Sequence, residues 1–571
     1  MAVKSGMNIG YVVGGGLKNN LNIRLTVPSH EVQEGSFVVI EAGNDNFYGL
    51  ITDLQLGSTD PRFADEQSEA RLPGHLSSLL HGQTLFTNLE VMPMLMLDRG
   101  PDPGSPEYPA WREQNPDDET RAKPVKTIPA HHANARAAHA GDVAQIFGDP
   151  AKKGNFVVGT TREQNHPVVL NLEKFVQRSS GIFGATGTGK SFLTRIILSG
   201  LIHHDLASLI VFDMHNEYGY DDTSSDTNLK VAGLRSKFPL KVKVVGLGAN
   251  TSIRGKSADF NLQLAESDIS SEDILMLSRE LNLRETTHAT LDALVHGFGD
   301  KRWFHEFKQL KNGATIENED GKKVPAPGSV AFWANQNGMN AMAAEALHTK
   351  MNRLFNRTYI SENPPGQPLN DIIKYLEQGK HIILSFGDFE SDLDYLLVTN
   401  LLTRKIRKAW EEKTNAFRGG KNSQAPRALV IVVEEAHKLL NREMSSQTTF
   451  STIAREMRKY YVTLLIIDQR PSQIYDEVMS QLGTRISGWL GDDDDISSVL
   501  SGLAGRDALR GMLSRLQPKE EVLMLGWGVP MPIPLRSRRY DQKFWDELLG
   551  TTYHTSKSTE DLIKSLGFDG G

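Results

Sequence analysis

From Gly10 to Leu97 the chain sets short apolar or alternating runs between Gly, Asn and Asp residues. IGYVVGGG, NIRLTVP, SFVVIEAG and FYGLITDLQL each fit a strand, so residues 7–97 read as an all-β module, a small barrel or sandwich. Prolines then recur every few residues, and about 98–130 is predicted to be a long loop. The apolar runs GDVAQIF, NFVVGTT and HPVVLNL that follow are expected to complete the barrel, giving an N-terminal unit over residues 1–175.

After Ser179 the period changes. GIFG, SLIVFDM, KVKVVGL, HIILSF, ALVIVVEE and TLLIIDQ are short, continuous, largely β-branched runs separated by helical stretches. Strands buried on both faces of a parallel sheet have this pattern, so residues 176–545 read as an α/β core. Helical periodicity dominates about 264–357, broken by a Gly/Lys/Asn-rich stretch near Lys311–Lys323, and predicts a helical insertion. Residues 546–571 read as a weakly patterned tail.

At 571 residues the chain exceeds one ordinary core, which agrees with two units. No run of ~18 apolar residues and no apolar leader stands in it, so a soluble, cytoplasmic protein with no membrane partner is expected. The absence of cysteine excludes disulfides, zinc ribbons and thiol nucleophiles. A net charge of -7 argues against an all-over basic coat but leaves room for a local basic lining.

Gly184-Ala185-Thr186-Gly187-Thr188-Gly189-Lys190-Ser191 fits G-x-x-x-x-G-K-[ST], with an apolar strand before it and an amphipathic helix after it. Backbone N–H groups in such a loop turn inward to phosphate oxygens, and the helix N-terminus adds positive charge. Lys190 is expected to reach the β- and γ-phosphates of ATP, and Ser191 to ligate Mg2+. Glu434 and Glu435 end a second buried strand at the sheet edge where open α/β sheets bind ligands. Glu434 is assigned to the Mg2+ shell and Glu435 to the attacking water. DMHNEY adds Asp213, His215, Glu217 and Tyr218 on a strand expected beside the phosphate-loop strand, with Glu217 a candidate nucleotide-site residue.

GATGTGKS, DMHNEY, and VEEAHKLL followed by IAREMRKYYVTLLIIDQRPSQI together resemble the HerA class of the HerA/FtsK ring ATPases. The resemblance spans roughly residues 7–540. It implies a RecA-like core behind a HAS-barrel-like domain, a homohexamer with ATP between subunits, and double-stranded DNA in the pore. It further implies an arginine finger at Arg458, with Arg455 as competitor on the same predicted helical face, a polar sensor at Gln469, and a basic residue approaching the nucleotide at Arg178. The residue before Gln469 departs from the family's commoner Ser, being Asp468.

The function this implies is ATP-driven translocation or unwinding of duplex DNA with a partner nuclease or effector docked on the barrel. The two settings are double-strand-break end processing and antiphage defence, and the resemblance to bacterial members inclines the expectation slightly to antiphage defence. The alternative is a ring scaffold that assembles and activates an effector, a nuclease or a sirtuin-type NADase, with little translocation of its own. Five other features carry weaker signals. Asp492–Asp495 reads as a solvated loop, and the pairs His131-His132 and His203-His204 lack further ligands at metal spacing. Arg536, Arg538 and Arg539 read as DNA-contacting or as guarding an edge strand, and Arg404, Lys405, Arg407 and Lys408 as a basic helical face.

Overall fold

A computed structural model describes residues 4–17, 19–59, 85–102, 104–115, 122–223, 230–249, 251–444, 449–503 and 505–550. The predicted C-terminal tail falls mostly outside them.

Seven strands form the first sheet: β1 (Asn8–Gly14), β2 (Leu21–Leu25), β3 (Phe37–Ala42), β4 (Asp45–Ser58), β5 (Leu85–Asp98), β6 (Ala122–Pro124) and β7 (Asn134–Ala137). Their order is β2-β1-β7-β3-β4-β5-β6, and a further β2–β5 pairing closes the first six into a barrel. The inward positions of the alternating runs (Ile9, Ile23, Val38, Ile40, Phe47, Ile51, Leu89 and Val91) fill it. The described part of the proline-rich segment is not all loop. It contains helix α1 (Tyr108–Gln114) and the short strand β6.

GDVAQIF is a helix, not a barrel strand. In α2 (Ala140–Phe147) His139 accepts from the Asp142 N–H while Asp142 takes that of His139, a reciprocal cap, and Val143, Ile146 and Phe147 bury one face. NFVVGTT and PVVLN do form strands, β8 (Asn155–Thr161) and β9 (Pro167–Asn171), but they extend the second sheet instead of completing the barrel. With six strands already closed, the barrel has no edge to offer them.

The second sheet continues with β10 (Ser180–Phe183), β11 (Ser208–Asp213), β12 (Val242–Leu247), β13 (Phe260–Leu262), β14 (His381–Ser385), β15 (Leu429–Glu434), β16 (Val462–Asp468), β17 (Thr484–Ser487), β18 (Glu521–Gly526) and β19 (Ile533–Ser537). The twelve strands run β13-β12-β14-β11-β15-β16-β10-β17-β18-β19-β8-β9. From β13 to β17 all are parallel. The remainder are antiparallel. Two expectations are corrected here. β11 is not beside β10, because β15 and β16 intervene, and the strand leading to Arg538 and Arg539 is interior, paired on both sides.

Helix α3 (Lys190–His204) follows β10 and is buried along most of its length. The segment from Leu264 to Ser361 leaves and rejoins the core at one point, where Leu264–Ala265 pairs with Ile360–Ser361. Between them lie α4 (Ser271–Met276), α5 (Thr287–Phe298), α6 (Trp303–Gln309), α7 (Val330–Gln336) and α8 (Ala341–Phe355), and the Gly/Lys/Asn-rich stretch is a β-hairpin. Later helices are α9 (Asp392–Arg418), α10 (Thr449–Glu456), α11 (Asp493–Val499) and α12 (Gln542–Leu549).

Candidate nucleotide site

Strand register brings the chemistry to one edge. Phe183 of β10 pairs with Asp468 of β16, and Glu434 of β15 with Ile467, so residues 184, 435 and 469 emerge together at the C-terminal ends of three neighbouring strands. The loop is shaped by glycine. Gly184 has φ 151°, and a Cβ there would stand 2.6 Å from Thr188 Oγ1. Gly187 and Gly189 also have positive φ. Lys190 Nζ donates to the carbonyls of Gly184 (2.6 Å) and Ala185 (2.8 Å), which holds the ammonium inside the loop. Burial lowers its pKa, while Glu435, Asp468, Glu217 and Glu434 oppose that shift. Ser191 follows in the first turn of α3, whose N–H groups have no intrahelical acceptors.

Glu434 is buried, and the Tyr218 hydroxyl donates to its Oε1 at 2.6 Å. The Tyr395 hydroxyl donates to the Glu434 backbone carbonyl at 2.7 Å, so two buried tyrosines fix this strand end. Among the described residues, Glu434 Oε2 and Glu217 Oε2 are buried with no protein partner. Burial raises the Glu434 pKa well above the usual carboxylate range, and neighbouring Asp213 adds to the rise. Asp213 is itself raised to about 6, chiefly by burial, although it accepts the backbone N–H groups of Glu217 (2.7 Å) and Tyr218 (2.9 Å). Thus two strands stand between β11 and β10, yet β11 reaches the site through its following turn.

Glu435 sits in the left-handed region at φ 47°. Its Oε1 accepts from Gln469 Nε2 at 3.1 Å, and Thr186 Oγ1 donates to Gln469 Oε1, a chain of contacts from the phosphate loop to the second glutamate. Asp468 is well satisfied. It accepts the backbone N–H groups of His437 and Arg470, both at 2.7 Å, and faces the His437 ring.

Neither arginine expected at the nucleotide approaches its own chain's loop. Arg178 precedes the N-terminal end of β10, stacked 4.2 Å over Trp527, and the four-residue strand separates it from the loop by roughly 13 Å. Arg458 lies in a 3-10 turn (Met457–Tyr460) before β16, roughly 20 Å from that strand's far end. It is exposed, and no contact is found for its guanidinium among the described residues. Arg455 ends α10 and pairs with Glu477 at 3.2 Å, so the two arginines do not share one α-helical face.

The basic face of α9 is largely used within the chain. Arg404 pairs with Asp273, Lys405 with Asp268 and Arg407 with Glu411. Asp492 caps α11 by accepting the N–H groups of Asp494 and Asp495, so the acidic run begins a helix instead of forming a loop. Among the described residues no group of three or more His, Asp or Glu could hold a metal ion, and no helix is long and apolar enough to cross a membrane.

The family model described as "Helicase HerA, central domain" matches residues 156–406, and the HAS barrel domain model matches residues 9–73. The chain is 23% identical over 548 residues to the DNA double-strand break repair helicase HerA of Sulfolobus acidocaldarius, covering 94% of each. It is 24% identical to the protein of the same name from Saccharolobus solfataricus, covering 94% of this chain and 93% of that one. Among solved structures it is similar to the bacterial conjugative coupling protein TrwBdeltaN70 (TM-score 0.44, 11% identity, 71% of this chain and 93% of that chain).

Proposed function

Because the chain is a HerA-type P-loop ATPase, we propose that it hydrolyses ATP in a ring of like subunits and uses the energy to move along duplex DNA. One observation carries the reading. A single chain gathers Lys190, Ser191, Glu434, Glu435 and Gln469 at one sheet edge but leaves Arg178 and Arg458 at the other. Arg178 and Arg458 can serve such a site only from a neighbouring copy, and a ring would supply them at every interface. A finger in trans is worth ~10³–10⁵ in rate.

In this reading the N–H groups of residues 184–191 and the Lys190 ammonium bind the ATP phosphates. Ser191 and Glu434 would hold Mg2+, with Glu217 nearby; the unpartnered buried oxygens of both glutamates suit a cation's shell. When bound, Mg2+ supplies charge neutralisation to the phosphate oxygens. Glu435 accepts the proton of the attacking water, and Gln469, tied to Thr186, aligns it. Arg458 is the finger. Arg455, already paired with Glu477, is the weaker candidate.

We read residues up to about 150 as the barrel domain, 155–545 as the core with its helical insertion, and the barrel as the docking face for a nuclease or effector. Double-strand-break processing is the setting we favour over antiphage defence, since that is the role in the names of relatives matched over 94% of both chains. The alternative of a ring scaffold with little translocation of its own makes the opposite prediction for movement. Displacement of a third strand from duplex DNA by protein and ATP tests this. Wild type should displace it and Lys190→Ala should not; an ATP-hydrolysing ring that displaces nothing would sink the motor. Mixing Arg458→Ala with Glu435→Gln subunits should restore part of the turnover if the site is shared between chains.

A further inference from the structure

Glu435 faces a second side chain besides Gln469. His437 Nε2 stands 3.8 Å from Glu435 Oε2, on the side of the carboxylate that Gln469 leaves open. The imidazole is anchored behind by Asp468, whose Oδ2 takes the His437 backbone N–H at 2.7 Å and lies 2.9 Å from the ring Nδ1. Asp468 is buried, and its other oxygen is held at 2.7 Å by the Arg470 N–H. An Nδ1–H donated to Asp468 fixes which ring nitrogen is turned toward Glu435. The imidazolium, which the hydrogen bond to Asp468 favours, also carries the Nε2–H that Glu435 Oε2 can accept. A separation of 3.8 Å exceeds a hydrogen bond, but contacts of this kind tighten when substrate is bound.

We propose that Asp468 and His437 are a positioning pair for Glu435: Asp468 orients the imidazole, and the imidazole holds Glu435 Oε2 so that the carboxylate meets the attacking water in one geometry. The proposal rests on the ATPase reading above. The two sides of Glu435 then have separate supports, Gln469 and Thr186 linking it to the phosphate loop and His437 and Asp468 linking it to the end of β16. In this assignment His437 acts only through Glu435.

The test is a set of variants, His437→Ala, His437→Gln, Asp468→Asn, Glu435→Gln and the double variant His437→Ala with Glu435→Gln. Each is assayed for single-turnover and steady-state hydrolysis, for binding of a fluorescent ATP analogue, and for thermal unfolding. His437→Ala and Asp468→Asn should each lower the hydrolysis rate about 10-fold, a fraction of the 10²–10⁴ that a positioned acid or base contributes. Nucleotide affinity should hold within about twofold, as expected when the lost interaction is one made on the way to the transition state. His437→Gln, which keeps an N–H near the Nε2 position, should recover part of the loss. In the Glu435→Gln background His437→Ala should cost nothing further, since the group it positions is gone. Loss of affinity in step with rate, equal losses in both backgrounds, or wild-type hydrolysis by His437→Ala with an unchanged melting temperature would each overturn the pair. A wild-type protein that hydrolyses no ATP, or one indifferent to Glu435→Gln, would instead remove the parent reading.

Discussion

Tyr218→Phe isolates one hydroxyl. The ring is fully buried and phenylalanine fills the same space, so no cavity opens. The change removes the 2.6 Å hydrogen bond to Glu434 Oε1 and leaves neither side-chain oxygen of that buried carboxylate with a protein donor, because Oε2 has none to begin with. A hydrogen bond to a charged group is worth ~1.5–3 kcal/mol, and the upper part of that range applies where the acceptor stays buried. The carboxyl can limit the loss by keeping its proton, to which burial and Asp213 already incline it. The sign follows. With a folded pKa above the unfolded value, the contribution to stability is full below the unfolded pKa and is lost as pH rises through the folded one. The variant should therefore melt several °C lower than wild type at pH 8.5, with a smaller gap at pH 6. Its ATPase should need about 10-fold more Mg2+ for half-maximal rate at pH 7, since ~1.4 kcal/mol is one decade. Differential scanning calorimetry and a Mg2+ titration of turnover read both effects. Wild-type melting at both pH values with an unshifted Mg2+ midpoint would refute the argument that Tyr218 supports this carboxylate.

Three more outcomes follow from the geometry. Glu435→Gln should bind ATP with near wild-type affinity while hydrolysis falls by ~10²–10⁴, checked by analogue binding beside phosphate release. Arg404→Ala should cost ~1.5–3 kcal/mol in urea unfolding, because it takes the cation from the fully buried Asp273 carboxylate, which keeps its donors from Ser270 and Asn400, and should leave affinity for duplex DNA in the folded protein unchanged. His381 is buried, with both ring nitrogens unpartnered among the described residues, and burial holds its pKa down to about 3. The unfolded chain then takes up a proton that the fold refuses, so stability falls by ~1 kcal/mol per pH unit below about 6.5. His381→Leu should flatten that acid slope in a melting profile from pH 7 to pH 5.

Much of this was legible in the chain because it is local. A phosphate loop is eight consecutive residues between a strand and a helix, and runs such as LIVFD and LVIVVE declare buried parallel strands by composition alone. Strand order is a different matter. Nothing in the spacing of DMHNEY says that two strands separate it from the phosphate loop, since β15 and β16 arrive from more than 200 residues later. The same holds for β8 and β9, whose alternation suits a barrel as well as a sheet edge; the partner that decides, β19, lies some 370 residues downstream. GDVAQIF was open to a helical reading, for HAGD carries the cap that fixes it. Tyr395, which holds the Glu434 carbonyl from the first turn of a long helix, has no sequence signature at all. Asp468 stood out only as a departure from a family pattern, and its use became clear only once His437 was placed against it.

The central claim is that ATP turnover serves duplex DNA. The direct measurement is the steady-state ATPase rate with and without linear duplex, at about 50 mM and about 200 mM salt, on assemblies whose mass is determined in parallel. A ring that binds duplex through its phosphates should turn over several-fold faster with DNA and lose most of that stimulation as salt rises. A ring whose rate is the same with and without duplex at both salt concentrations would contradict the account.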